Sequence, residues 1–263
     1  MKVLVVSLFL TLTVSCIKGD AEFNVLRVIE SEYDLNDIRT IIGDHSSSLV
    51  HYYKFDSNFT DYGSAGQDAI EVRDSVDLSD GIIPFVDGQI NKALSFDGDG
   101  DHANFPLEEL DVFSVSFWHY SSSDEENVTQ YVFESDRYRL HDRGGQRVQL
   151  EVKGTSGTSR FKLDSADAFN ENEWVHVVVN VNLSNPFPGD STGLVSIFVN
   201  GYEKSVIIES EGSGSLPSDI VTFIGNAKSE SRDLVGMVDE LAFFNRALTA
   251  QEALAIYTAQ SQL

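Results

Sequence analysis

The segment Val175-His-Val-Val-Val-Asn-Val181 places the valines at 175, 177, 179 and 181 on one side of an extended chain, and Phe113-Ser-Val-Ser-Phe-Trp118 does the same with Phe113, Val115 and Phe117. Successive side chains of a strand point to opposite faces, so each segment reads as a strand with one face in a core and the other turned outward. A strand of this kind needs neighbours on both edges and a second layer over its apolar face. Similar signals recur at Leu49 to Phe55, Ala93 to Phe96, Tyr131 to Glu134, Val148 to Lys153, Leu194 to Val199, Val206 to Ile208, Val221 to Ile224 and Val235 to Phe244, separated by clusters of Gly, Asp, Asn and Ser. Asn200-Gly201, between Ser196-Ile-Phe-Val199 and Tyr202-Glu-Lys-Ser-Val206, predicts a hairpin, because both residues tolerate the positive φ of a type I′ turn. Strands do not alternate with long helices, so the pattern predicts an all-β antiparallel sandwich.

One helix is expected at the C-terminal end. Thr249 followed by Glu252 forms a capping box, with Leu248 and Ala253 as a flanking apolar staple, so a short helix should begin at Ala250. Just upstream, Asp239 and Glu240 interrupt the apolar run from Met237 to Phe243. An acid in a buried strand has to be compensated.

The 263 residues are enough for one large β-domain that folds without a disulfide or metal. Residues 1–15 read as a signal peptide: Lys2 gives a positive start, Val3 to Val14 is an apolar run, and Ser15 is a small residue before a cleavage point. That run is shorter than the ~20 residues of a membrane span. Cys16, the only cysteine, closes the run Leu12-Thr-Val-Ser-Cys16, which resembles a bacterial lipobox and would carry a lipid anchor; the alternative is an ordinary signal peptide cut nearby. Residues 16–48 are expected to form a tether with a short helix over Tyr33 to Ile42, capped by Gly43 and contributing little to the core, ahead of a domain over 49–263. The 18 basic and 42 acidic residues give a net charge of −24. A surface of that sign repels nucleic acid and anionic lipid, so membrane contact is expected only through a lipid on Cys16.

Taken in order, Tyr52-Tyr-Lys-Phe-Asp56, Asn91-Lys-Ala-Leu-Ser-Phe-Asp-Gly-Asp-Gly-Asp101, Phe113 to Trp118, Glu173-Trp-Val-His-Val177, Ile197-Phe-Val-Asn-Gly201, Ile224-Gly225, Gly236-Met-Val-Asp-Glu-Leu241 and Asn245-Arg-Ala-Leu-Thr249 resemble the laminin-G-like, concanavalin A-like jelly roll from about Leu49 to Thr258. The resemblance implies two curved antiparallel sheets and a secreted lectin-like, adhesive or polysaccharide-processing role. It also implies a structural calcium, whose hard oxygen ligands would be Asp97 and Asp239 with Asp56 as a third. The alternative is that Asp97 to Asp101 is a solvated turn and that Asp239 is satisfied by Arg246 or by backbone amides.

For catalysis, a glucanase of this shape needs two carboxylates facing one sugar about 5–5.5 Å apart. Asp239 and Glu240 are neighbours expected on opposite faces, and Glu134-Ser-Asp136 offers only one alternating pair. Polysaccharide lyases of this shape gather Arg, Gln, His and Tyr, and Asp136-Arg-Tyr-Arg-Leu-His-Asp-Arg-Gly-Gly-Gln-Arg147 holds all four types. Alternation sends half of that run to the other face, so a charged hairpin is the plainer reading. As a binding surface the same run offers Arg137, Arg139, His141 and Arg143, a positive island in an acidic chain that suits an anionic glycan. Trp118 and Trp174 lie in core-patterned strands and are expected to pack. These readings predict an exported, non-catalytic domain that binds carbohydrate or a surface glycoprotein, with a polysaccharide-active enzyme and a protein-binding adhesion module as alternatives.

Overall fold

The computed structural model describes residues 37–72, 83–107, 109–122, 129–143, 147–163, 172–183, 193–218, 221–226 and 232–262. The expected signal peptide and Cys16 lie outside the described residues. Sixteen strands are present among these residues: β1 (Leu49–Tyr53), β2 (Ile70–Val72), β3 (Phe85–Asp87), β4 (Lys92–Asp97), β5 (His102–Phe105), β6 (Val112–Ser121), β7 (Thr129–Glu134), β8 (Tyr138–Arg143), β9 (Arg147–Gly154), β10 (Gly157–Leu163), β11 (Trp174–Asn182), β12 (Val195–Val199), β13 (Tyr202–Lys204), β14 (Val206–Ser210), β15 (Thr222–Ile224) and β16 (Val235–Phe244). Among the described residues two α-helices, α1 (Ile38–Ile42) and α2 (Ala250–Gln260), flank the series, with a 3-10 turn over Gly43–Ser48. Neither is long and apolar enough to cross a membrane.

The strands form two antiparallel sheets of eight. The first runs β13-β12-β11-β6-β16-β4-β3, with β1 also paired to β16; the second runs β14-β10-β9-β8-β7-β15-β5-β2. The ten-residue β16 pairs β4 through Val235 to Val238 and β1 through Leu241 to Phe244. The inward residues of both sheets meet as predicted: Phe113, Val115, Phe117 and Val175, Val177, Val179 and Val181 of β11 pack against Leu140, Val148, Leu150 and Val152. Phe105 and Phe243 lock the two layers with ring centroids 5.4 Å apart. This is the jelly-roll sandwich that the sequence resemblance implied.

The hairpin at Asn200-Gly201 has φ of 51° and 80° and joins β12 to β13 with Val199 opposite Tyr202. The α2 capping box is complete, with Thr249 Oγ1 accepting from the Glu252 amide and Glu252 accepting from the Thr249 amide. The segment before β1 differs from expectation. Its helix is only Ile38–Ile42, and Ile38 and Ile42 are buried with Leu49, Tyr52, Phe244 and Ile256 in a second apolar cluster. Ile38–Ile42 therefore belongs to the compact unit, because these isoleucines cover the outer side of β1 and β16.

Candidate functional site

The outward faces of the two sheets are built differently. On the first sheet, Trp118, Val178, Phe198, Ala242 and Phe244 point outward and are buried beneath α1 and α2. Trp118 Nε1 donates to Gln260 Oε1 of α2 at 2.8 Å. His176 is fully buried there with Nε2 at 2.9 Å from Ser116 Oγ, and burial lowers its pKa to about 3. This face has no room for a ligand at the tryptophan, which packs as expected. Trp174, half-buried, packs edge-on against Tyr120.

The outward face of the second sheet carries polar side chains in two adjacent cross-strand rows. Glu134 lies opposite Arg139, Arg139 opposite Glu151, and Glu151 opposite Arg160. Beside them Tyr131 lies opposite His141, His141 opposite Gln149, and Gln149 opposite Lys162. A register shift between Tyr131 and Phe133 lets both Val132 and Phe133 enter the core, so that Tyr131 and Glu134 share the outer face. The first row is an alternating charge ladder: Arg139 Nε donates to Glu134 Oε1, Arg139 Nη1 is 3.6 Å from Glu151 Oε2, and Arg160 Nε donates to Glu151 Oε1 at 2.6 Å. Glu134 also takes Lys153 Nζ at 3.2 Å. Directly opposed ions of unlike sign hold one another across a sheet. In the second row Tyr131 stacks on His141 with centroids 4.4 Å apart, and the Arg139 guanidinium lies 5.6 Å from the Tyr131 ring centre. Burial raises the Tyr131 pKa.

Tyr131, Arg139, His141, Gln149, Glu151 and Arg160 of these rows line an open pocket of about 430 Å³, completed by Thr129, by Glu209 from β14 and by Arg232 from the segment before β16. Its volume is in the range of a small-molecule site. Of the four residues expected to bind ligand, the pocket contains Arg139 and His141. Arg137 does not join them. It sits in the turn before β8, is 3% exposed, and reaches away to the Pro217 carbonyl at 2.6 Å, to Asp111 and to Glu109. Arg143 ends β8, and its side chain lies outside the described residues, as does Gln146. Tyr138 turns inward, with its hydroxyl donating to the Leu110 carbonyl. Arg139 and His141 of the expected set therefore meet a different tyrosine and glutamine, Tyr131 and Gln149. Sequence reasoning missed Tyr131, Gln149, Glu151, Arg160 and Arg232. The signal was the alternation of Val148-Gln-Leu-Glu-Val152, whose inward apolar residues force Gln149 and Glu151 outward.

The calcium ligands expected from the resemblance divide. Asp97 pairs with Val235 in the β4–β16 register, whereas Asp239 lies four residues further along β16. Asp97 is exposed and accepts the Asp99 amide in a solvated turn, so it is not a partner of Asp239. Asp239 is 0% exposed; its Oδ2 accepts the Ile90 amide at 2.9 Å, while Oδ1 is buried with no hydrogen-bond partner among the described residues. Arg246, offered as its alternative partner, pairs instead with Glu252. Asp239 and Glu240 do not take opposite faces. A bulge at Asp239 to Ala242, with Glu240 at φ 52°, turns Glu240 beneath α2, where it accepts from the Tyr52 hydroxyl and from Gln260 Nε2 at 3.2 Å. Burial raises both carboxyls well above the usual range, and Asp56 adds to the effect on each. Phe55, immediately before Asp56, is also left-handed at φ 57°. The orphaned Oδ1 is the observation here that bears on a cation, and Asp56 and Asp239 offer two carboxylates where calcium takes about six to eight oxygens. No group of three or more His, Cys, Asp or Glu suited to a metal occurs among the described residues.

Against known proteins, the family model of the concanavalin A-like lectin/glucanases superfamily matches residues 97–253. No curated protein matches the sequence. Among solved structures, domain 4 of AbnA, a GH43 extracellular arabinanase from Geobacillus stearothermophilus in complex with arabinotriose, matches with a TM-score of 0.58 at 20% identity, covering 80% of this chain and 98% of that one. The receptor-binding domain of botulinum neurotoxin mosaic serotype C/D matches with a TM-score of 0.61 at 14% identity over 82% of this chain and 51% of that one. The binding domain of botulinum neurotoxin DC in complex with rat synaptotagmin II matches with a TM-score of 0.61 at 11% identity over 83% and 53%. This chain thus spans about half of each toxin domain. At these identities the likeness is one of fold.

Proposed function

The chain belongs to the concanavalin A-like lectin/glucanase superfamily, and from that premise we propose that it is an exported, non-catalytic module that binds carbohydrate, free or on a surface glycoprotein, in the pocket of β7 to β10. The observation that carries this reading is the cross-strand ladder Glu134–Arg139–Glu151–Arg160. Its ions are fixed by one another before a ligand arrives, so donors and acceptors stand ready for sugar hydroxyls at little ordering cost. Neighbouring structures solved with arabinotriose and with a protein receptor support a binding role. Screening the full chain on a glycan array tests it: wild type should retain a glycan without cleaving it, and Arg139→Ala should lose retention while melting at a similar temperature. Failure to retain any glycan would sink the reading.

A polysaccharide lyase is the second reading, favoured by the meeting of Tyr131, Arg139, His141 and Gln149 in one pocket. Release of unsaturated oligosaccharide, abolished by His141→Ala, would decide for it. An adhesion module with a protein partner would instead keep full binding in excess free glycan. Calcium at Asp56 and Asp239 belongs to the proposal as a structural ion that would neutralise the buried Asp239 carboxylate. A lipid on Cys16 would tether the module, and the intact mass of the mature protein reads it directly.

A further inference from the structure

Charge on the pocket face does not balance within the described residues. The acids there are each matched: Glu134 by Arg139 and Lys153, Glu151 by Arg139 and Arg160, and Glu209 by Lys162 at 2.5 Å. Arg232 is exposed at the pocket mouth, and no acid among the described residues pairs with it. Its backbone is held in place: the amide donates to Asn226 Oδ1 at 3.2 Å and the carbonyl accepts the Tyr131 amide at 3.0 Å. Among the described residues, then, a guanidinium without an acid partner lines the pocket from a backbone anchored to Tyr131, on a chain whose net charge is −24. Arg160 spends only Nε on Glu151 in that pairing, which leaves its Nη donors for a second acceptor.

Resting on the carbohydrate reading of this pocket, we infer that its ligand is a carboxylate-bearing sugar, of the uronic or sialic acid class, whose carboxylate is taken by the Arg232 guanidinium at the mouth while Tyr131 and Gln149 meet the ring. A guanidinium fork matches the two coplanar oxygens of a carboxylate, and such charge-assisted pairs are about twice as strong as neutral ones. The acidic surface elsewhere repels polyanions, so binding is local: one acidic residue of a chain is held and long-range attraction is absent.

The test uses matched pairs on the full chain by calorimetry: oligogalacturonate against its methyl ester, sialyllactose against lactose, and oligomannuronate against mannan oligosaccharide, with a heparin oligosaccharide as the sulfated probe. At least one acid should bind about tenfold or more tighter than its neutral counterpart. Arg232→Gln, with an unchanged melting temperature, should erase that ratio by bringing the acid's affinity down to that of its neutral counterpart. Neutral and acidic members binding equally, a ratio untouched by Arg232→Gln, or binding confined to the sulfated probe would overturn the inference and leave the carbohydrate reading standing. Binding of none would overturn both.

Discussion

The two outer faces of this sandwich obey the same alternation rule and end in opposite states. Outward positions on β6, β11, β12 and β16 hold Trp118, Val178, Phe198, Ala242 and Phe244, and two short helices cover them. Outward positions on β7 to β10 hold Tyr131, Arg139, His141, Gln149, Glu151 and Arg160, and among the described residues no helix covers that face. Polar groups occur on the covered face too, but they are consumed internally. Ser114 and Asn180 take the Leu248 amide and carbonyl and so fasten the approach to α2. The difference teaches that a polar outward residue marks a binding surface only when no later element returns to cover it. In this chain the covering element is set by the last residues, so the open face is the one that α2 does not reach.

The comparison breaks most visibly at the covered face. Trp118→Ala should cost roughly 3–5 kcal/mol of stability, because it leaves a cavity under α2 and removes the indole donor to Gln260 Oε1; chemical denaturation checks this. Glycan affinity of the fraction still folded should be unchanged. Arg139→Ala should do the reverse, lowering affinity about tenfold or more with only a small change in denaturation midpoint.

His176 sharpens the contrast through pH. Its folded pKa of about 3 lies below the ordinary value of 6.5, so below pH 6.5 the unfolded chain binds the extra proton and stability falls as pH drops toward 3. The expected slope is about 1.4 kcal/mol per pH unit between pH 6 and 4. His176→Gln should flatten it, as followed by urea midpoints across that range. Chelation should then lower the wild-type melting temperature by roughly several degrees if Asp56 and Asp239 hold calcium, and Asp239→Asn should remove the difference. Identical melts with and without chelator would rule the ion out. The smallest effect is expected at the cap: Thr249→Ala should cost about 1 kcal/mol.

Much of the fold could be read from local pattern. The valines of β11, the Asn200-Gly201 turn and the Thr249–Glu252 box each specify their structure within a few residues, and each is found where its sequence places it. What was not legible depends on irregular backbone or on distant partners. The shift at Tyr131 to Phe133 and the bulge at Glu240 each change which side chains share a face, and no spacing rule announces them. Asp97 and Asp239 are both acids in strands that pair with each other, yet the register keeps them apart. Arg139 and His141 were visible as a charged run, whereas Glu151, Arg160 and Arg232 reach the pocket from three other segments.

The central claim is that the uncovered face of β7 to β10 is where this protein meets its ligand. Amide hydrogen exchange of the full chain, with and without a glycan retained on the array, measures it directly. Added protection should appear across Tyr131, Arg139, Gln149 and Glu151 and be absent from Ala250 to Gln260. Protection concentrated in α2, with β7 to β10 unchanged, would contradict the account.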